Sequence, residues 1–342
     1  MKVAVGLSGG IDSFVTALVL KNNGCEVIGV YLKLADCGEE LPADILKIGE
    51  FLDIPIFVKD GRRLFSGEVE GAFVEAYASG TTPSPCVTCN GKVKWILLAE
   101  AVREIGAERI ATGHYVNIEK IDGLYYVGCG TDPTKDQSYY LWQLEQEMLR
   151  MAITPLGSLA KQEVRRMAAA AGADFLCRKR ESMGLCFLKG MDYRAYLAKY
   201  HPGKGDKEGE ILSVPGEILG KHKGIRNFTV GQKIRLSGMK SPLYVHSTDA
   251  ARNAVVVGDK SGLWRRDFKL GRIRFTAPCD RFRDLTVRIR GVGENPSGFV
   301  ELQEEGEGLR VITREPVWGC APGQPAVFYY DRYVVGGGIL EC

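Results

Sequence analysis

Two short stretches hold side chains of the types and spacing that do chemistry. The first is Gly6-Leu7-Ser8-Gly9-Gly10-Ile11-Asp12-Ser13. Its adjacent glycines let the backbone approach a ligand closely and adopt positive φ. Ser8 and Ser13 add hydroxyl donors. The apolar helical pattern from Asp12 to about Asn22 would aim its unpaired N–H groups and positive dipole end at the same space. Together these make a nest for phosphate oxygens. A Gly-Gly turn capped by Asp12 is the plainer alternative. It is the weaker one, because an apolar run (Lys2 to Leu7) precedes the loop and another (Phe14 to Leu20) follows it.

The second stretch is Thr82-Pro83-Ser84-Pro85-Cys86-Val87-Thr88-Cys89-Asn90. Two prolines stiffen the approach, and the cysteines stand at C-x-x-C spacing ahead of a helix expected to begin near Lys92. A thiol at a helix amino terminus has its thiolate favoured by the dipole. A zinc site needs about four ligands, and no second C-x-x-C or close histidine pair supplies them. A thioredoxin-like redox pair needs a different surrounding fold. A cluster or sulfur-transfer site needs a further thiol, and Cys186 offers one in Arg178-Lys179-Arg180-Glu181-Ser182-Met183-Gly184-Leu185-Cys186-Phe187-Leu188. There Gly184 permits a tight loop, and the basic triplet suits phosphate. Taken alone, Cys186 reads as a packed core cysteine.

The elements that must position these residues alternate. Strand patterns at Lys2 to Leu7, Cys25 to Leu34, Ile54 to Val58 and Arg109 to Gly113 are separated by helical patterns at Asp12 to Asn22, Ala43 to Leu52, Arg62 to Ala78 and Lys92 to Ile105. Gly24 is the expected C-terminal cap of the first helix. This alternation predicts an α/β fold with a Rossmann-like parallel sheet and helices on both faces. The pattern then breaks. Tyr115 to Cys129 reads as a hairpin turning at Asp122-Gly123. Helices are expected near Gln137 to Leu149 and Ser158 to Ala171, the second capped by Ser158. After His201-Pro202-Gly203 the helical period stops. Short β-branched runs take over at Ala254 to Val257, Leu270 to Phe275, Leu285 to Ile289 and Ala326 to Tyr330, the pattern of small β domains or barrels.

With 342 residues the chain should hold two or three domains, and 45% apolar residues argue against disorder. The net charge of +3 is unevenly spread. Asp259 to Arg290 carries ten Lys or Arg against four Asp, a local +6 that leaves −3 for the rest. Such an excess suits a polyanion such as nucleic acid, or equally a solvated surface. The ten cysteines come with no secretory leader and no bilayer-spanning run, so a cytoplasmic setting with few structural disulfides is expected. Cys25, Cys129, Cys177 and Cys320 read as buried small apolar residues.

The first loop lacks the Lys that follows the glycines in Gly-x4-Gly-Lys-Ser/Thr loops. It resembles instead the Ser-Gly-Gly-x-Asp-Ser signature of the PP-loop ATP pyrophosphatases, which hold the pyrophosphate of ATP while an acceptor oxygen attacks the α-phosphate. Over essentially its whole length the chain resembles the tRNA-specific 2-thiouridylase (MnmA) family. Five landmarks carry the resemblance: Gly6 to Ser13, Thr82 to Asn90, Ala111-Thr112-Gly113-His114-Tyr115, Lys135-Asp136-Gln137-Ser138-Tyr139-Tyr140, and Gly184-Leu185-Cys186-Phe187. Pro322 to Tyr329 and Gly336 to Ile339 also fit the family's carboxy-terminal β domain.

The resemblance implies a catalytic domain with a tRNA-contacting helical segment at 1–200, a small central β-rich domain at 201–262, and a β-barrel at 263–342. It implies that the wobble uridine of a tRNA, met at the anticodon stem-loop, is adenylated at O2 by ATP with Mg²⁺. Sulfur then displaces AMP. Cys89 matches the nucleophile and Cys186 the carrier of persulfide sulfur. Gly6 to Ser13, Leu32 and Gly113 match the ATP site. Ser84, Pro85 and Cys86 match the target-base contacts, and His114, Lys135, Asp136, Gln137, Arg290 and Gln324 match positions that touch tRNA. Two departures stand out. Gly291 follows Arg290 where the family often has Tyr, and Cys86 stands where many members carry Asp. Three thiols, Cys86, Cys89 and Cys186, could ligate a [4Fe–4S] cluster with one iron open to sulfide. The competing idea is a Cys89/Cys186 pair cycling through a disulfide. The sulfur donor is then a partner protein or inorganic sulfide, and no membrane is involved. Within the PP-loop group the alternatives are an enzyme like 4-thiouridine synthase or an amidoligase-like one such as argininosuccinate synthetase. Outside it, the rival is a non-catalytic RNA-binding protein with a structural metal.

Overall fold

The computed structural model describes residues 1–35, 41–178, 184–239, 241–278, 282–291, 293 and 295–341. They divide into two compact units that are not contiguous in sequence: 1–69 with 86–183 and 332–335, and 70–85 with 184–331 and 336–342.

The first unit is built on the parallel sheet β3-β2-β1-β4-β7, formed by β1 (Lys2–Leu7), β2 (Glu26–Lys33), β3 (Ile56–Asp60), β4 (Arg109–Ala111) and β7 (Ala152–Ile153). β1 is central because its Lys-Val-Ala-Val-Gly-Leu run is apolar on both faces. Val3, Val5 and Leu7 face the core formed with α1 (Ile11–Asn22), α2 (Ala43–Leu52) and Leu156, Val164 and Ala168. A Cβ at Gly6 would reach Leu98, so alternation along the strand puts α3 (Trp95–Ile105) on the opposite face. The expected parallel sheet with two helical layers is what the chain forms.

Local boundaries follow local chemistry. α1 ends where Gly24, at φ 76, sends its N–H to Lys21 O at 2.9 Å while the Cys25 N–H reaches Leu20 O at 3.0 Å, the paired closure expected of a glycine cap. β3 begins two residues later than the pattern predicts. Asp53 is left-handed at φ 47, and the Ile54 N–H still closes α2 on Gly49 O, so neither residue can pair as a strand. The hairpin β5 (Val116–Ile121) and β6 (Leu124–Cys129) turns at Asp122-Gly123 as expected, both at positive φ. Tyr333 and Val334 pair with Gly128 and Val127 in this unit.

Three expectations need correction. The helical segment from Gln137 to Leu149 is a 3₁₀ turn, Ser138–Leu141, and a separate α4 (Gln146–Met151). Ser158 closes another 3₁₀ turn, Pro155–Ser158, instead of capping. The helix it was expected to start, α5 (Lys161–Ala170), has Ala160 at its cap position. There Glu163 Oε2 reaches back to accept the Ala160 N–H at 2.7 Å, and Asp132 Oδ2 takes the Lys161 N–H at 3.1 Å. Cys25, Cys129, Cys177 and Cys320 are half-buried, not buried.

The second unit carries two antiparallel-rich sheets. One runs β10 (Lys233–Ile234), β11 (Leu243–Asp249), β12 (Ala254–Gly258), β8 (Gly209–Ser213) and β9 (Ile218–His222), around Ile211, Val245, Val255 and Val257. The other runs β14 (Thr286–Arg288), β17 (Pro325–Tyr330), β18 (Tyr333–Leu340, in this unit from Gly336 onward), β13 (Trp264–Phe275), β16 (Gly308–Trp318) and β15 (Val300–Glu305). The helix Tyr193–Tyr200, capped by Asp192 accepting the Arg194 N–H at 2.9 Å, joins Ala72–Ala78 through an aromatic cluster of Phe73, Tyr77, Phe187, Tyr193 and Tyr196.

Candidate active site

In the strand order β3-β2-β1-β4-β7 the chain leaves β1 to one side for β2 and returns on the other for β4. The loops after β1 and β4 therefore diverge at their carboxyl ends and leave a crevice, the place where open α/β sheets bind ligands. The loop after β1 is Ser8-Gly9-Gly10, with Gly9 at φ 73 and Gly10 extended. Among the described residues no side chain caps α1 at Gly10, so its first N–H groups face the crevice as an anion site. Ser13 Oγ accepts the Ser8 N–H at 3.2 Å and donates to Gly10 O at 2.9 Å, which fixes the loop's curl.

The loop after β4, Thr112-Gly113-His114, closes the other side. A Cβ at Gly113 would stand 3.0 Å from the Asp12 carbonyl carbon and 3.1 Å from both Asp12 Cβ and Ser13 N. Glycine is therefore needed here for contact between the two loops. Leu32, half-buried, lies near the carboxyl end of β2, one residue beyond the Tyr31 that pairs with Leu7. Gly6 to Ser13, Leu32 and Gly113 thus share one sheet edge.

His114 sits deeper than a nucleic-acid contact would. It is 8% exposed, stacked at 17° on Trp95, with Nδ1 2.8 Å from Thr112 Oγ1. Burial first, then the charge of Lys94, hold its pKa well below the ordinary histidine value. Gln137 is tied to Tyr115, its Oε1 accepting the Tyr115 N–H at 3.0 Å. Asp136 accepts the N–H groups of Gly130 and Ser138 at 3.0 and 3.1 Å and the Ser138 hydroxyl at 2.9 Å, so it organises its own turn. The Lys135 N–H donates to Asp132 O at 3.0 Å.

The helix carrying the paired cysteines begins at Pro85, not near Lys92. Pro85–Cys89 is α-helical, Asn90–Lys94 is a π-turn, and α3 follows. Proline suits a first helical position, where no N–H partner is needed. Cys86 and Cys89 therefore lie within this short helix at i and i+3, Cys86 as its second residue and exposed, Cys89 as its last and buried. Burial first, then the Cys86 thiol, raise the pKa of Tyr140. Among the described residues of this unit, no third Cys, His, Asp or Glu joins Cys86 and Cys89 in a metal-holding group.

In the second unit, Cys186 is exposed at the start of the 3₁₀ turn Cys186–Leu188, after Gly184 at φ 102. Phe187 anchors that turn, 5.1 Å from Phe73 and 5.4 Å from Tyr196. Lys179 and Arg180 lie outside the described residues. The stretch that ends in Ser84 and Pro85 is clamped by Gln324, whose Nε2 donates to Thr82 O at 2.9 Å and Pro83 O at 2.8 Å. Arg290 donates to Trp318 O at 2.7 Å and Gly319 O at 3.1 Å, its guanidinium 5.0 Å over the Trp318 ring. The structure thus gives Gln324 and Arg290 backbone carbonyls to hold.

One cation at the first loop went unnoticed in the sequence. Lys161 Nζ donates to both Asp12 carboxylate oxygens, at 2.7 and 2.8 Å, and the Tyr115 hydroxyl donates to Asp12 Oδ1 at 2.6 Å. No spacing signal links a lysine to a loop 149 residues earlier.

Family models match three successive stretches: a tRNA methyl transferase HUP domain over residues 1–190, a tRNA methyl transferase PRC-barrel domain over 194–259, and an aminomethyltransferase beta-barrel domain over 265–340. The tRNA-specific 2-thiouridylase MnmA of Chlorobium luteolum is 38% identical over 362 residues, covering 99% of this chain and 96% of that one. The tRNA-specific 2-thiouridylase MnmA 2 of Phocaeicola vulgatus is 37% identical over 344 residues, covering 99% and 97%. Among solved structures, the U34-tRNA thiolase NcsA from Methanococcus maripaludis with its [4Fe-4S] cluster aligns over 60% of this chain and 68% of that one, at 20% identity and a TM-score of 0.36, too distant to bear on chemistry.

Proposed function

The chain belongs to the tRNA-specific 2-thiouridylase family, and from that premise we propose how its own residues divide the work. It is a tRNA-uridine 2-sulfurtransferase that binds ATP. The observation that carries the ATP-binding half is the uncapped amino terminus of α1 behind Ser8-Gly9-Gly10, held against Gly113.

In the activation half, the α1 N–H groups and the Ser8 hydroxyl hold the β- and γ-phosphates, Ser13 keeps the loop curled around them, and Leu32 and Gly113 line the adenosine. Uridine O2 attacks the α-phosphorus as the N3 proton leaves. The bond to the β-phosphate breaks, and pyrophosphate departs with its electron pair. Stabilising that departing charge is what a helix terminus does well. Magnesium bound to ATP would supply shielding of its phosphate charge.

In the sulfur half, the terminal sulfur of a persulfide on Cys186 attacks C2 and AMP leaves. The Cys89 thiolate then attacks Cys186 Sγ, which releases the transferred sulfur on C2 as 2-thiouridine and forms a Cys89–Cys186 disulfide; an external dithiol returns the two electrons. An exposed Cys186 suits loading by a donor, and Cys89, buried at the end of the Pro85–Cys89 helix, is assigned the nucleophile's part. Ser84, Pro85 and Cys86 meet the target base. Lys135 is assigned to the tRNA backbone. His114, Asp136, Gln137, Arg290 and Gln324 support tRNA binding by shaping loops more than by direct contact.

The Cys86-x-x-Cys89 turn supports a second reading, in which these two thiols and Cys186 hold a [4Fe–4S] cluster that supplies sulfide. The two thiols of the first unit do not fit a cluster by themselves. The setting proposed is the cytoplasm; no helix among the described residues is long and apolar enough to cross a membrane. Anaerobic incubation with tRNA, ATP, Mg²⁺ and a persulfide donor or sulfide, read by nucleoside mass spectrometry, tests the function. 2-Thiouridine is expected. A 4-thiouridine product, or no tRNA-dependent pyrophosphate release, would overturn the assignment.

A further inference from the structure

The phosphate loop contains no lysine, yet it sets a carboxylate, Asp12, in the first turn of α1 where phosphate oxygens would gather. An unneutralised carboxylate there would repel them at short range. Neutralisation comes from a distant part of the chain. Lys161, the first residue of α5, is 7% exposed and places its ammonium on both Asp12 oxygens. The Tyr115 hydroxyl holds Asp12 Oδ1 as well, and the ammonium lies 5.5 Å over the Tyr115 ring.

The lysine is itself fixed. Its N–H donates to Asp132 Oδ2 at 3.1 Å, and Glu163 takes the Ala160 N–H. The Thr134 hydroxyl first, then the Lys161 N–H, hold the Asp132 carboxyl below its ordinary pKa. At the amino terminus of α5 the Ala160 and Lys161 N–H groups thus face protein carboxylates, while the Lys161 ammonium reaches α1. A buried ion pair kept merely for stability is commonly replaceable by apolar packing. This one joins α1, the β4 loop and α5 at the ATP crevice.

We propose that Lys161 is the cation this phosphate loop lacks: a positioning residue that fixes and neutralises Asp12, so that the amino terminus of α1 stays attractive to the phosphates of ATP. The inference rests on the ATP-activation reading above and adds to it the residue that lets an acidic loop hold an anion.

The test uses the full chain with Lys161→Met, Lys161→Arg, Asp12→Asn and the Asp12→Asn/Lys161→Met pair, measuring ATP binding by calorimetry, tRNA binding and pyrophosphate release. Lys161→Met should weaken ATP binding roughly 30-fold, the scale of one uncompensated charge near a partly buried anion, and leave tRNA affinity within about twofold. Lys161→Arg should recover ATP affinity to within about fivefold of wild type, since the charge is kept. In the Asp12→Asn background, Lys161→Met should cost less than about threefold, because the charge it would neutralise is gone. A merely structural lysine would lose as much in both backgrounds and would weaken tRNA binding too. Wild-type ATP affinity in a folded Lys161→Met chain, or the full loss persisting without the Asp12 charge, would overturn the inference. A wild-type chain that releases no pyrophosphate with tRNA would overturn the functional reading instead.

Discussion

Replacing Gly113 with alanine tests the contact that forms the ATP crevice. The added Cβ would stand 3.0 Å from the Asp12 carbonyl carbon and 3.1 Å from Asp12 Cβ and Ser13 N. Carbon atoms pack best at about 3.5–4.0 Å, so the two loops must separate by roughly half an ångström. The neighbours struck are mostly backbone, and α1 cannot retreat, because Phe14, Val15 and Ala17 behind it are fully buried. Overpacking of this kind costs about 1–3 kcal/mol. Moving the first turn of α1 also misaims its N–H groups, each charge-assisted bond being worth about 1.5–3 kcal/mol. Losing one such bond predicts ATP binding weaker by about tenfold to a hundredfold. Calorimetry on ATP binding reads this directly, with circular dichroism to check the fold. Gly24→Ala is the control: at φ 76, with no atom within 4 Å of the new Cβ, it meets only backbone strain. That variant should lose about 1 kcal/mol of stability and bind ATP normally. A Gly113→Ala protein with wild-type ATP affinity and pyrophosphate release would refute the reasoning.

Other perturbations probe the sulfur half, the tRNA surface and the buried histidine. Cys89→Ser and Cys186→Ser should each abolish 2-thiouridine while keeping ATP binding near wild type; thiolation surviving either change counts against the relay. Cys86→Asp should stay active with a persulfide donor, and iron analysis of anaerobically purified wild type decides whether a cluster is needed: no iron or acid-labile sulfide in a fully active enzyme removes that reading. Binding of tRNA should weaken roughly a hundredfold between 50 and 200 mM salt if about four phosphates are neutralised, and a flat salt response would remove the electrostatic role of the basic 259–290 region. His114 is held uncharged by burial, so the unfolded chain takes up a proton below about pH 6.5 that the folded chain refuses. Its contribution to stability is therefore intact above that pH and falls below it by up to about 1.4 kcal/mol per pH unit, until the lowered folded pKa is reached. Denaturant titrations at pH 7.5 and 5.5 should show a smaller acid loss in His114→Gln, and equal losses would exclude the assignment.

Much of this protein is determined by local sequence. The apolar run Lys2 to Leu7, the glycine pair and the apolar face of the next helix fix a strand, a phosphate loop and a helix, because each depends only on residues close in the chain. The turn at Asp122-Gly123 and the closure at Gly24 are local in the same sense, each requiring a left-handed backbone at a residue that tolerates it. Boundaries were less legible where a side chain a few residues away did the capping. Glu163 made Ala160 serve where Ser158 was expected, and Pro85 started a helix seven residues ahead of the apolar pattern. What only the tertiary structure decided is which distant groups meet. Gly113 touches Asp12 because β4 returns beside β1, and Lys161 reaches Asp12 across 149 residues because α5 packs next to α1. Charge neutralisation acts through space and leaves no period or spacing in the sequence. The loop therefore announced that it would hold phosphate, while the fold supplied the lysine that allows an acidic loop to do so.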